Sequence, residues 1–154
     1  MSTINGLPAH VLLVHAVVIL VPLTAGLLIL CAVWPAARAR LIWLVVVLAV
    51  LVTVLTPITV DAGEWFQRQL GMPPLLDEHA RLGRQMPYFV APLLVPAALL
   101  AFAQLRSRRE RPLGRALVAV IAVLALAAGG AATWQTFRAG DSGAHAVWNG
   151  VVNH

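Results

Sequence analysis

The sequence predicts an all-α fold, an integral membrane four-helix bundle in a single domain that covers residues 1–154. Composition is the first observation behind this prediction, because 60% of the residues are hydrophobic, 11% are charged and the mean hydropathy is +0.86. A soluble domain of this length cannot bury so much apolar surface. The second observation is four apolar runs, each close to the ~20 residues that a helix needs to cross a bilayer. These predicted spans cover residues 8–33, 41–60, 86–105 and 113–137. Because backbone groups in lipid must pair internally and the runs do not alternate, we expect helices rather than barrel strands.

The distribution of arginine predicts the orientation of the bundle, since the chain contains no lysine. The first and third connections are rich in arginine, whereas the N-terminal segment has no charged side chain and the second connection offsets its arginines with acidic residues. The positive-inside bias therefore places the first and third connections in the cytoplasm, and both termini and the second connection outside. The arginines that decide this are Arg38, Arg40, Arg106, Arg108, Arg109, Arg111 and Arg115. These arginines also explain the pI near 11.4. Because we interpret them as determinants of topology that attract anionic lipid, we expect no nucleic-acid partner.

The first two spans carry polar side chains in their predicted outer halves. His10 and His15 lie in the first turns of span 1, and their separation in the sequence places them about 140° apart around the helix axis, too far to aim at one point. His15 shares a face with Pro22 and Gly26 and should lie within the hydrocarbon or at its edge. Span 2 leads through several threonines to Asp61, a carboxylate that could orient an imidazole through its second ring nitrogen. Alternatively, the threonines have a structural role and donate hydrogen bonds to the backbone carbonyls that Pro57 leaves without a donor.

The connection between spans 2 and 3 predicts an outer amphipathic lid helix. Gly71, Pro73 and Pro74 form a break, after which apolar residues recur at helical spacing with charged residues on the opposite side. His79 shares the apolar face, so it should point inward as a candidate ligand, with a plain packing residue as the alternative. Span 3 should be kinked by its three prolines, which are Pro87, Pro92 and Pro96.

Span 4 is rich in alanine and glycine, a seam that serves tight helix contact within the bundle or in a homo-oligomer. The run Gly140-Asp141-Ser142-Gly143 then predicts a loop and a short terminal segment that contains His145. His145 is a further candidate ligand, or else a surface residue of an interfacial helix. His154 should be frayed and irrelevant.

Four segments of the chain carry a resemblance to a known family. They are Asn5-Gly6-Leu7-Pro8-Ala9-His10-Val11-Leu12-Leu13-Val14-His15, the Asp61 after span 2, the His79 before span 3, and Gly140-Asp141-Ser142-Gly143-Ala144-His145-Ala146-Val147-Trp148. They resemble the bacterial predicted membrane proteins grouped as domain of unknown function twenty-two thirty-one, over nearly the whole chain. The resemblance implies a multi-pass protein of the bacterial plasma membrane. Some members look like fusions to Rieske or cytochrome c domains, which implies electron transfer near the membrane surface.

Three functions stay open on the sequence alone, and whether the protein is an enzyme stays open with them. In the first, His15 and one of His10 or His79 ligate a b-type haem that passes electrons between quinol or an outer redox protein and a partner. In the second, His15, His79, Asp61 and His145 supply ligands for a single ion of zinc, copper or iron. In the third, the protein is a non-catalytic membrane scaffold whose histidines are packing residues. His15 is the predicted centre of the site, with Asp61 and His79 as its companions.

Overall fold

The computed structural model describes residues 3–4, 7–71 and 74–152, so that Asn5, Gly6, Pro73 and His154 lie outside the described residues. Two short strands, β1 (Thr3–Ile4) and β2 (Leu7–Pro8), pair antiparallel at the N-terminus. Most of the remaining described residues are helical: α1 (Ala9–Val33), α2 (Pro35–Gln69), α3 (Asp77–Val90), α4 (Leu94–Arg108) and α5 (Arg115–Val152), with a 3-10 turn before α3 at Pro74–Leu76. Within this part of the chain, four helical stretches are long and apolar enough to cross a membrane, as predicted.

Trp34 alone separates α1 from α2. Its backbone is extended, with φ −120° and ψ 105°, because a residue that precedes proline is pushed out of the helical region. Pro35 then opens α2, where a proline needs no hydrogen-bond donor. At the other end, Gly71 adopts a φ of 76°, the left-handed conformation that commonly ends a helix. Since α2 continues beyond the apolar run at both ends, it is longer than the predicted span 2.

The third long helix consists of α3 and α4, joined by a 3-10 turn at Ala91–Leu93. Pro92 lies in this turn and cannot donate a backbone hydrogen bond, which explains why the α-helix is interrupted there. Because α3 runs on into α4, the stretch Asp77–Arg108 forms a single candidate membrane helix, and a separate lid helix is not confirmed. The amphipathic face is as expected, with Leu82 and Met86 buried and the charged side chains exposed.

The helix α5 continues through the segment that we predicted to be a loop, and that prediction was wrong. Gly140 and Gly143 both lie within α5, where Ser142 donates a hydrogen bond back to the carbonyl oxygen of Ala139 at 2.8 Å. α5 also packs against α3. This tertiary contact outweighs the weak helix propensity of the two glycines.

The four long helices pack in a ring that follows the chain order. Both α1 and the α3–α4 helix pack against α2 and α5. A Cβ atom at Gly129 of α5 would lie 3.3 Å from the Cβ of Ala25 on α1, so the small-residue seam of span 4 serves contact within the bundle. Large apolar side chains such as Val47 and Val123 remain exposed, as a lipid-facing surface requires. We call the end where α1 and α3 begin and α2 and α5 finish the histidine end.

Candidate functional site

His10 lies at the beginning of α1, and its ring packs on the last turns of α2. Its Nδ1 donates a hydrogen bond to the carbonyl oxygen of Thr59 at 3.1 Å. A Cβ atom at Gly63 would lie 2.7 Å from Cε1 of this ring, so only glycine leaves room for the imidazole here. Phe66 stacks on the ring at a centroid distance of 6.4 Å. The end of α2 therefore determines where the His10 ring lies.

His79 is held on α5 in the same manner. Its Nδ1 donates to the carbonyl oxygen of Ala139 at 3.0 Å, and the hydroxyl of Ser142 lies 3.3 Å from the same nitrogen. A Cβ atom at Gly143 would lie 3.0 Å from Cε1 of the ring. Each histidine thus donates to a carbonyl that lies one helical turn before a glycine, and each ring occupies the space which that glycine leaves.

The His10 and His79 rings form an edge-to-face pair, and both line one cavity. Their centroids are 6.2 Å apart and their planes differ by 75°, and both rings line a cavity of about 70 Å³. Because each Nδ1 donates to a carbonyl, each neutral ring keeps a lone pair on Nε2. Thr56 and Thr136 also line this cavity, but their hydroxyls donate to carbonyls of their own helices. The lining is otherwise mostly apolar, so His10 and His79 are the candidate nitrogen ligands among the described lining residues.

The other predicted ligands do not reach this cavity. His15, the predicted centre of the site, is exposed and donates its Nδ1 to the carbonyl of Val11 at 2.6 Å, because the angle that separates it from His10 turns it outward. Asp61 is exposed on α2. His145 is also exposed and lies 3.7 Å from Asp141 of its own helix. Across residues 3–4, 7–71 and 74–152, no group of three or more His, Cys, Asp or Glu side chains is placed to hold a metal ion.

A comparison with protein-family models identifies the family. Residues 6–154 match the family described as predicted membrane protein (DUF2231). The chain belongs to this family. The resemblance that the sequence motifs suggested is thereby confirmed, and the DUF2231 description gives a membrane protein without a reaction. No curated protein and no solved structure matches the chain.

This DUF2231 chain contains an internal repeat that we did not recognise from the sequence. A motif of two threonines, an aspartate and a glycine recurs at identical spacing in α2 and α5, as Thr53, Thr56, Asp61 and Gly63 and as Thr133, Thr136, Asp141 and Gly143. The first helices of the two halves also match in burial. Counted from His10 and from His79, six buried positions coincide: Val17, Val21, Thr24, Leu28, Cys31 and Ala32 in one half, Met86, Val90, Leu93, Ala97, Leu100 and Ala101 in the other. A search for such spacing is the signal that would have found the repeat.

The repeat explains why the two histidines meet. Each half is a hairpin of two long helices, so the halves run in the same direction and relate by an axis along the bundle. The cavity lies at this axis, and all its lining residues except Val18 form pairs of equivalent positions: His10 and His79, Val14 and Gly83, Val17 and Met86, Thr56 and Thr136, Thr59 and Ala139, Val60 and Gly140. Gly83 and Gly140 of the second half stand where the first half has Val14 and Val60. A Cβ atom at Gly83 or Gly140 would meet no heavy atom within 4 Å, so these two positions leave space in the cavity wall.

Proposed function

We propose that this protein binds one transition-metal centre between His10 and His79, at the end of the bundle that we predict to face outward from the bacterial plasma membrane. One observation carries the proposal: both rings border one cavity, and a backbone carbonyl fixes each ring through Nδ1. Histidines that bind metals nearly always donate their other ring N–H to a carbonyl or carboxylate. This hydrogen bond sets the tautomer and leaves Nε2 for the metal.

The separation of the rings is compatible with one metal held by both imidazoles. A metal–nitrogen bond of about 2.0 Å and about 1.15 Å from a ring nitrogen to its centroid would place the two centroids at most about 6.3 Å apart. The His10 and His79 centroids are 6.2 Å apart, which is within this limit. Both a bare ion and a haem iron would accept two imidazole ligands.

The size of the cavity favours a bare ion over a macrocycle. A volume of about 70 Å³ holds an ion with a few water molecules. Pockets for drug-sized ligands have about 300–1,000 Å³, and a haem is not smaller than such ligands. A haem at this position would therefore displace the side chains of Val14 and Met86. Electron transfer is the use that we propose for the centre, since copper and iron both change oxidation state by one electron.

Metal content and a visible spectrum of the protein purified in detergent test this proposal. Wild-type protein should contain stoichiometric metal, and His10→Ala and His79→Ala should each lose it. His15→Ala is the matched control, because it removes the same side chain from the exposed side of α1 and should keep the metal. A Soret band that disappears in both cavity variants would assign the pair to a haem iron, and copper without this band would assign it to a bare ion. Metal-free wild type, or metal that depends on His15 and not on His10, would contradict the proposal.

A further inference from the structure

The side chains around the cavity limit the charge of an ion that can bind there, because no carboxylate and no thiol is among the described lining residues. The described acidic side chains at the histidine end all lie outside this lining. Glu64 lies 3.9 Å from Arg84, Asp77 accepts a hydrogen bond from Gln67, and the other three, Asp61, Glu78 and Asp141, are exposed. An ion between the two imidazoles would keep its full charge inside the bundle. Because the cost of desolvation rises with the square of the charge, a monovalent ion binds there far more readily than a divalent one.

Met86 places a thioether in the same cavity. It lies two helical turns after His79 on the same face of α3, it is 5% exposed, and it lines the cavity. Long helical side chains point back toward the N-terminus of their helix, which is the end of α3 that carries His79. The equivalent position in the first half is Val17, so the sulfur enters from one side. Thioether ligands are soft and select Cu(I) among the common metal ions.

We infer that the ion bound at this site is monovalent copper, with Met86 Sδ as a third ligand beside Nε2 of His10 and His79. This inference rests on the proposed function and adds the identity of the ion. Three observations support it: both imidazoles line one cavity, no carboxylate is among the described residues that line it, and the buried Met86 lines the same cavity. Zn²⁺ instead prefers four ligands in a tetrahedron, whereas the proposed site supplies three.

Competition with a chromophoric Cu(I) chelator, under ascorbate and on protein stripped of metal in detergent, tests the inference. We expect Cu(I) to bind at least a hundredfold more tightly than Zn²⁺. Met86→Leu keeps the side-chain volume and removes the sulfur, and it should weaken Cu(I) binding by at least the roughly 10–100-fold that loss of an outer-sphere partner costs. Leu93→Met is the matched control. It adds a thioether at a buried position of the same long helix that does not line the cavity, and it should leave the affinity unchanged.

X-ray absorption at the copper edge supplies a second measurement that does not depend on folding stability. Wild-type protein loaded with Cu(I) should show a copper–sulfur distance of about 2.3 Å that Met86→Leu lacks. A preference for Zn²⁺, a bound haem, or Cu(I) binding that Met86→Leu leaves unchanged would overturn the inference while the histidine pair still holds a metal. Failure of His10→Ala and His79→Ala to alter any metal binding would instead remove the proposed function itself.

Discussion

Replacement of Gly63 by alanine should displace the His10 ring and destabilise the bundle. The new Cβ atom would lie 2.7 Å from Cε1 and 2.8 Å from Nδ1 of the imidazole, closer than such atoms can approach. The ring must therefore move, because the Cβ is fixed to the backbone of α2. Movement of the ring breaks the hydrogen bond from Nδ1 to the carbonyl of Thr59, which is 3.1 Å long. One added methyl group thus removes both the packing and the orientation of a proposed ligand.

The expected loss of stability is about 2 kcal/mol. Excess volume in a packed interior costs about 1–3 kcal/mol, and loss of the hydrogen bond adds about 0.5–1.5 kcal/mol. The higher helix propensity of alanine at Gly63 offsets about 1 kcal/mol of this. A net 2 kcal/mol corresponds to a factor of roughly 30 in the folding equilibrium.

A double-mutant cycle with His10→Ala measures this effect directly. The free energy of unfolding is followed by circular dichroism during titration of dodecyl maltoside micelles with sodium dodecyl sulfate. In the His10→Ala background, Gly63→Ala should be neutral or stabilising, which gives a coupling energy of about 2–3 kcal/mol. Gly130→Ala is the control, since a Cβ atom there meets no heavy atom within 4 Å. Equal destabilisation by Gly63→Ala in both backgrounds would refute the proposed contact.

Substitutions elsewhere test the packing and the orientation of the bundle. Gln135→Leu removes a 3.0 Å hydrogen bond from α5 to a backbone carbonyl of α3 and should lower the free energy of unfolding by about 0.6 kcal/mol, the average for such bonds in membranes; an increase in stability would contradict this. Gly129→Leu should cost about 2 kcal/mol or more in the same titration, because it forces α1 and α5 apart, and wild-type stability would disprove their close contact. In a Cys31→Ser background, Asp141→Cys should react with a membrane-impermeant maleimide in intact cells and Ser107→Cys only after lysis. The opposite labelling pattern would overturn the predicted orientation.

Hydropathy was sufficient to predict the four long helices but not where they end. The apolar runs mark the part of each helix that the bilayer must cover, whereas hydrogen bonding carries α2 on to Gln69. The prediction of a loop from Gly140 to Gly143 was wrong for a related reason. Its residues favour turns locally, yet the His79 ring packs against Gly143 and donates to Ala139, and no local pattern contains that contact.

The five candidate ligands all lie near the histidine end of the bundle, but the sequence analysis did not show which of them line the same cavity. Helical geometry gives the angle between His10 and His15 and does not say which of them faces the interior. That choice depends on the neighbouring helix, where Gly63 leaves space for one ring. The internal repeat could have shown from the sequence that His10, and not His15, faces the interior. His10 is the equivalent of His79, and the motif around Gly63 recurs around Gly143.

Because the two hairpins belong to one chain, the two sides of the cavity between them can differ in sequence. Two identical hairpins that met as a homodimer would carry every substitution on both sides of the axis. In a single chain each side varies independently, and the walls show this: Met86 lies opposite Val17, and Gly83 lies opposite Val14. The imidazole pair and the pair of Thr56 and Thr136 are the same on both sides of the axis, while the other paired positions differ, so that whatever binds there meets different neighbours on the two sides.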